Sequence, residues 1–348
     1  MARVDPMYQF SLDTYVELFN LSIDSSRINN ADIQVSTRCD NINNFHTLAV
    51  YKSTCRGLFE EHKLLFSLSL CLKIMESKGL IVTDEFEFFS LGAGIIDRAT
   101  QPGNPASEWL PLSAWDNITE MDKNCAGLSG IVSAFQQNGR EWKAWYLSSK
   151  PEVEAMPGDW SNKSELQKLC IIRGLRLDRA LFAMSKFVTA NIGPEFVDPP
   201  SFDLKLVHES SNAKAPLIFV LSPGVDPTAG IVQLAKQLDI NFSQVALGQG
   251  QAPTAVRLIE EAIKGNSWVF LANCHLMLSW MPTLEKMIES QLVEGSPPKN
   301  FRLWLSSSPT TDFPISILQR GIKMTTEPPK GLRSNLMTLF NTIGEEQF

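Results

Sequence analysis

The residues with the clearest chance of doing chemistry follow short apolar runs in the last third of the chain. Pro216-Leu217-Ile218-Phe219-Val220-Leu221 reads as a strand, and Ser222-Pro223-Gly224-Val225-Asp226-Pro227-Thr228-Ala229-Gly230-Ile231 leads from it into a helical pattern. A phosphate-cradling loop of the GxxxxGK[ST] type would sit at this place, with a lysine to reach the β/γ-phosphates and a hydroxyl to hold Mg²⁺. Aligned from Gly224, the second glycine position holds Ala229, the lysine position Gly230 and the hydroxyl position Ile231. Lys236 lies nearly two helical turns further on and points elsewhere. The loop shape is present without its charged and hydroxyl groups.

A second strand, Ser267-Trp268-Val269-Phe270-Leu271, should end in a carboxylate for Mg²⁺ and another for water if it belonged to a working nucleotidase. It runs instead into Ala272-Asn273-Cys274-His275. Asn273 can hydrogen-bond a water and cannot ionise, and His275 is a poor ligand for a hard cation. Cys274 beside His275 invites a nucleophile reading, but neighbours on a strand face opposite sides of a sheet, so a structural histidine is expected. His46, His62 and His208 form no HxxxH pair, and no metal site is expected. Gly248-Gln249-Gly250-Gln251 resembles part of a dinucleotide fingerprint, yet its third glycine position is Pro253, which leaves a tight strand-to-helix turn. Arg333, opening a helix after Pro328-Pro329, is a candidate phosphate sensor or an ordinary exposed first-turn residue. Glu60-Glu61-His62-Lys63 reads as a solvated charged face or a docking face.

The elements that hold these residues change character along the chain. Residues 8–28 repeat apolar side chains every three to four positions, with Ser11 or Asp13 as a cap. A longer pattern over 42–77, interrupted only by Gly57, predicts a long helix or a projecting helical hairpin. Gly92, Gly94, Pro102, Gly103, Pro105 and Pro111 with Trp109 and Trp115 predict an aromatic-packed linker to about 125, and helices resume over 127–147 and 161–190. From 216 onward, strands at 216–221, 245–247, 267–271 and 301–305 alternate with helices at 229–238, 252–264 and 279–293, the pattern of βαβ units and a parallel sheet.

Composition narrows the class. The chain has 348 residues, 44% hydrophobic and 20% charged, which is globular and leaves room for two domains. A formal charge of −7 argues against a broad nucleic-acid face. Six cysteines without a CxxC pair give neither a disulfide framework nor a zinc site, as in a reducing cytoplasm. The most apolar stretch, 64–72, is far too short for a membrane span, and residues 1–6 carry no signal-peptide core.

Several strings together resemble dynein heavy chains, most of all axonemal ones: Asp5-Pro6-Met7-Tyr8-Gln9-Phe10-Ser11-Leu12, Arg56-Gly57-Leu58-Phe59-Glu60, Leu221-Ser222-Pro223-Gly224-Val225-Asp226-Pro227, Gly248-Gln249-Gly250-Gln251, Asn273-Cys274-His275-Leu276, and Ile322 through Arg333. They keep the family's order along nearly the whole chain. The resemblance implies a motor ring of six AAA modules. Residues 1–90 correspond to the helical end of the fifth module, with a hairpin that props the stalk, 91–159 to a helical connector, and 160–348 to the α/β part of the sixth. The fold class expected is α plus α/β: helical hairpin and helical region, then an AAA-type P-loop-like parallel sheet with flanking helices.

The resemblance further implies a degenerate sixth module at Gly224, Ala229, Gly230, Ile231, Ala272 and Asn273. Catalytic residues, cofactors and metals are expected to be none in this stretch, with ATP and Mg²⁺ acting in other modules. It also implies a piece of a motor, begun partway through the fifth module and ended before the sixth module's lid and C-terminal domain. Expected partners are the other ring modules and the stalk, and, through the parent, microtubules and intermediate and light chains, in the cytoskeleton of a cilium or flagellum. Two other readings stand beside it: a nucleotide hydrolase in its own right using Asn273 and Arg333, and a free-standing scaffold for dynein-related partners.

Overall fold

The computed structural model describes residues 1–27, 34–198 and 203–327, together with Leu336. The chain forms two compact units, Met1–Lys63 with Pro200–Phe348, and Leu64–Pro199. The segments expected at 1–90, 91–159 and 160–348 are module assignments, and the compact units cut across them, dividing inside one helix at Lys63.

The first unit opens with α1 (Leu12–Ser25) and α2 (Val35–Cys55). Ser11 caps α1, its hydroxyl accepting from the Thr14 N–H at 3.0 Å. The two helices form an antiparallel pair. Arg38 of α2 donates to the Ser26 carbonyl at 2.6 Å and to that of Ile23 at 2.5 Å, placing a cation on the negative end of α1. Further along, the His46 ring lies edge-on to Tyr15 and Phe19, at 5.0 and 5.4 Å, and its Nδ1 is 3.1 Å from the Ser22 hydroxyl. The expected turn at Asn29-Asn30 lies outside the described residues.

The single long helix expected over 42–77 is two helices: α2 ends at Cys55 and α3 runs Glu60–Ser77. The break has a physical cause in the sheet. Leaving the helix at Arg56 and Leu58 frees their carbonyls, which accept from the Thr325 N–H at 2.9 Å and the Thr325 hydroxyl at 2.6 Å. Gly57 lies so close that an added Cβ would meet the Lys323 Cβ at 3.1 Å.

The second unit is helical among its described residues. It holds α4 (Thr83–Leu91), α5 (Leu112–Asn124), α6 (Ile131–Gln137), α7 (Gly139–Tyr146), α8 (Glu165–Leu175) and α9 (Ala180–Ile192). The linker expected over 92–125 therefore contains a helix. Its Gly and Pro residues end at Pro111, after which Trp115, Ile118 and Met121 line a buried stripe at helical spacing. The helix expected over 127–147 is broken at Asn138 into α6 and α7, and that over 161–190 at Arg176–Arg179 into α8 and α9. A capping box of Ser164 and Gln167 starts α8, and Gly193, at φ 113°, ends α9. Stacked rings of Phe135 and Trp142, 4.4 Å apart, mark its aromatic core.

The remainder of the first unit is α10 (Leu204–Glu209), β1 (Leu217–Leu221), α11 (Thr228–Gln237), β2 (Phe242–Ala246), α12 (Ala252–Gly265), β3 (Trp268–Ala272), α13 (Met281–Met287), β4 (Arg302–Ser307), α14 (Ile315–Arg320) and β5 (Ile322–Thr326). The five strands form a parallel sheet in the order β2-β3-β4-β1-β5. This is the expected helical-plus-α/β class with an AAA-type P-loop-like sheet. β1 and β4 are buried at every residue, as strands covered on both faces must be. Their core joins Phe219, Ile231, Leu234, Trp268, Phe270, Trp304 and Met324. The strand expected at 245–247 starts earlier, at Phe242, and β5 was not expected at all.

Candidate functional site

In an open α/β sheet, ligands bind beyond the carboxyl ends of the strands, so the loops leaving β1, β3 and β4 are the place to look. After β1 the chain stays tied to β5 for one more bond, the Ser222 N–H donating to the Thr326 carbonyl at 3.1 Å. It then turns through Gly224, whose φ of +81° suits a residue without Cβ. Asp226 closes the loop on itself: its Oδ1 accepts from the Thr228 N–H at 2.9 Å and from the Thr228 hydroxyl at 2.5 Å. The carboxylate thereby occupies the first N–H of α11, where a phosphate loop would present free donors.

Ala229 and Gly230 follow on the exposed side of α11. A Cβ added to Gly230 would approach only Leu204, at 3.8 Å. Ile231 turns inward and is fully buried in the core with Leu217, Phe219 and Trp268. The position that would hold Mg²⁺ through a hydroxyl thus carries a core side chain.

Beyond β3 the expected picture of Cys274 and His275 on opposite faces of a strand does not hold, because β3 ends at Ala272. Asn273 takes the left-handed conformation, φ 59° and ψ 45°, and the chain enters a 3₁₀ turn, Cys274–Trp280. Asparagine tolerates that region better than most residues. The Asn273 N–H donates to the Ser306 hydroxyl at 3.1 Å, linking the ends of β3 and β4. Cys274 is buried, its thiol directed at the Leu271 carbonyl at 3.5 Å and pushed up to about 12 by desolvation. A thiol so held is a poor nucleophile. His275 accepts the Ser308 N–H on Nδ1 at 3.1 Å, and partial burial lowers its basicity. The two side chains do not touch in a nucleophile–base arrangement; each is bound to backbone of its own surroundings.

The Gly248-Gln249-Gly250 segment is a tight turn between β2 and α12, with Gly250 at φ +81° and the Gln251 N–H bonded to the Gly248 carbonyl at 3.1 Å. Glu60–Lys63 is engaged within its own unit. The Glu60 N–H donates to Glu327 at 2.7 Å, and the Tyr8 hydroxyl meets His62 Nδ1 at 2.8 Å. Arg333 lies outside the described residues.

A Mg²⁺-nucleotide needs an ammonium or guanidinium on the phosphates and oxygen ligands on the metal. Residues 222–231 hold no lysine or arginine, and residues 272–275 hold no carboxylate. The residue types do not fit the group. Among the described residues no cluster of three or more His, Cys, Asp or Glu side chains could hold a metal ion, and no helix is long and apolar enough to cross a membrane. A recess lined in part by Glu152, Met156, Lys168, Leu169 and Phe187 belongs to the helical second unit and follows no strand.

The sequence compares closely with long proteins. Residues 212–325, which contain the whole sheet, match the family model "Dynein heavy chain region D6 P-loop domain". The chain is 50% identical over its full length to dynein axonemal heavy chain 2 of Mus musculus, and equally to that of Homo sapiens. It is 51% identical over its full length to the dynein-1-beta heavy chain, flagellar inner arm I1 complex, of Chlamydomonas reinhardtii. It spans 8% of the length of each of these relatives. Half-identity from end to end, with a P-loop-domain match over a parallel sheet, makes this chain homologous to one stretch of axonemal dynein heavy chains.

Proposed function

We propose that this chain is a non-catalytic, mechanical stretch of an axonemal dynein heavy chain motor. In this reading it contributes to the ring of AAA modules and passes conformational change toward the stalk, while ATP and Mg²⁺ work in other modules of the parent. The observation that carries it is Ile231: a buried aliphatic side chain stands where a nucleotide loop needs a metal-binding hydroxyl. The self-capped Asp226–Thr228 turn and the backbone-bound Asn273 support it.

The mechanical part rests on the α1–α2 pair. A lever must transmit rotation without bending, and packed elements do so when they move as rigid bodies. Arg38 locks one end of this pair and His46, wedged between Tyr15 and Phe19, the middle. Partners in this reading are the neighbouring modules and the stalk, with microtubules and intermediate and light chains reached through the parent. The names of the relatives support a place in the cytoskeleton of a cilium or flagellum.

Calorimetric titration of the purified chain with Mg-ATP, with phosphate release measured alongside, tests the first part. No heat of binding and no release are expected. Tight binding with turnover would transfer the assignment to a nucleotide hydrolase. For the lever, Arg38→Glu in a motor containing this stretch should weaken the coupling of ATP turnover to microtubule affinity. Unchanged coupling would refute it.

A further inference from the structure

The first unit contains a buried amine that none of the foregoing uses. Lys323, the second residue of edge strand β5, is 5% exposed. Its Nζ donates to the Leu318 carbonyl at 2.6 Å and to the Gly321 carbonyl at 3.4 Å, both at the end of α14. The Phe10 ring covers it, 4.5 Å from Nζ to centroid, and the Gly57 backbone packs on its Cβ. In register beside it on β1 stands Ile218. Lys323 is thus enclosed by three separate pieces of chain: the N-terminal segment through Phe10, the 56–58 turn, and the end of α14.

The charges around it are as informative as the contacts. The ionisable group facing Lys323 is Arg56, a second cation, itself largely desolvated. The nearby acids are engaged elsewhere: Glu327 with the Glu60 N–H at 2.7 Å, Glu60 with Lys63 at 2.7 Å, Glu61 with His62 at 3.7 Å, and Asp5 with the Met7 N–H at 2.8 Å. Among the described residues no carboxylate pairs with Lys323. Two cations enclosed without an anion repel each other, and carbonyl dipoles and one ring face compensate a full charge only in part.

We propose that the seam joining β5 to residues 7–10 and 56–59 is a proton-operated joint. The seam closes tightly over a neutral Lys323 amine and loosens when that amine takes a proton from solvent. Tyr8, which bonds the Phe59 N–H at 3.0 Å, and Thr325, which bonds the Arg56 and Leu58 carbonyls, are the contacts released. Desolvation first and Arg56 second lower the amine from 10.5 to about 7, so its charge changes within the neutral range. The sign follows from linkage. The open seam, with a solvated lysine, binds a proton up to about pH 10.5 and the closed seam only below about 7, so opening is most favourable below 7 and declines as pH rises.

Native-state hydrogen exchange of the full chain tests this, read on peptides covering 322–326 and 56–60 and corrected for intrinsic exchange. The corrected opening constant should fall about tenfold per pH unit above 7, about a hundredfold in all between pH 6 and pH 9. Lys323→Met should abolish that slope in both peptides. A flat wild-type profile, or the same slope in Lys323→Met, overturns the proposal. Should Lys323→Met fail to fold, ¹³C-lysine NMR of the wild type replaces it. A side-chain signal titrating near pH 7 and missing in Lys323→Arg supports the joint, and titration of every lysine above about 9.5 refutes it.

Discussion

Replacing Ile231 by threonine would put back the hydroxyl that a nucleotide loop carries at that position, and so separates a site that has merely lost a side chain from one whose backbone now serves the core. Ile231 is fully buried, in the cluster with Leu217, Phe219, Trp268 and Trp304. Shortening a buried isoleucine by roughly one methyl-sized group costs about 0.5–1.5 kcal/mol. A hydroxyl left without a partner in that core adds about 1–3 kcal/mol. Ile231→Thr should therefore destabilise the first unit by about 1.5–4.5 kcal/mol. Hydrogen exchange of β1 and β4 peptides is the appropriate assay, since tryptophans in both units would mix their fluorescence. Opening should rise about 12- to 2,000-fold, at about 1.36 kcal/mol per factor of ten. Ala229→Ser, two residues earlier and on the exposed side of the helix, should change stability by less than about 0.5 kcal/mol. Two results would defeat the reasoning: a change below about 0.5 kcal/mol in Ile231→Thr, or micromolar Mg-ATP binding by Gly230→Lys combined with Ile231→Thr.

Other positions give independent checks. Gly224→Ala, at φ +81° with open space around the added Cβ, should cost about 1–2 kcal/mol from backbone conformation alone, measurable by urea denaturation. Gly57→Val should push on Lys323 and cost about 1–3 kcal/mol, with faster exchange in the 322–326 peptide as its signature. In the second unit, Arg179 holds the Glu152 carboxyl below its ordinary 4.5, so the stability this pair gives is present above that pH and fades as pH falls further. Glu152→Gln should remove this acid sensitivity and lower stability at pH 7, read by exchange in α8 and α9. His275, depressed below 6.5, gives stability that is present above 6.5 and is lost as the pH drops and protonation removes the acceptor for the Ser308 N–H; His275→Ala should flatten that loss in the β4 peptides.

Much of this was legible in the residues because the relevant signals are local. Continuous apolar runs such as 217–221 and 268–271 announce buried parallel strands, and the residue types Ala229, Gly230 and Ile231 after β1 are visible at fixed spacing. What escaped depends on partners distant in sequence. Ile-Lys-Met-Thr-Thr of β5 has no apolar run, and it becomes a strand because β1 pairs with it on one side and the 56–58 carbonyls on the other. The break at Gly57 was hidden for the same reason: nothing within 42–77 requires it, and Thr325 does. At the candidate site, the absences were readable from sequence, but the inward turn of Ile231 and the left-handed Asn273 were not. Helix phase and a strand's end are fixed by packing rather than by composition.

The Thr325 bonds to Arg56 and Leu58 have a consequence for how the chain is made. Their partners are separated by 267 to 269 residues, so the first unit is assembled from segments far apart in the sequence. At ribosomal speeds of about 5–20 residues per second, the 56–58 turn waits roughly 13–53 s for the strand that pairs with it. Meanwhile Leu64–Pro199 can fold behind them as its own unit. During that interval the apolar side chains destined for β5, Phe10 among them, are surfaces a chaperone would need to shield.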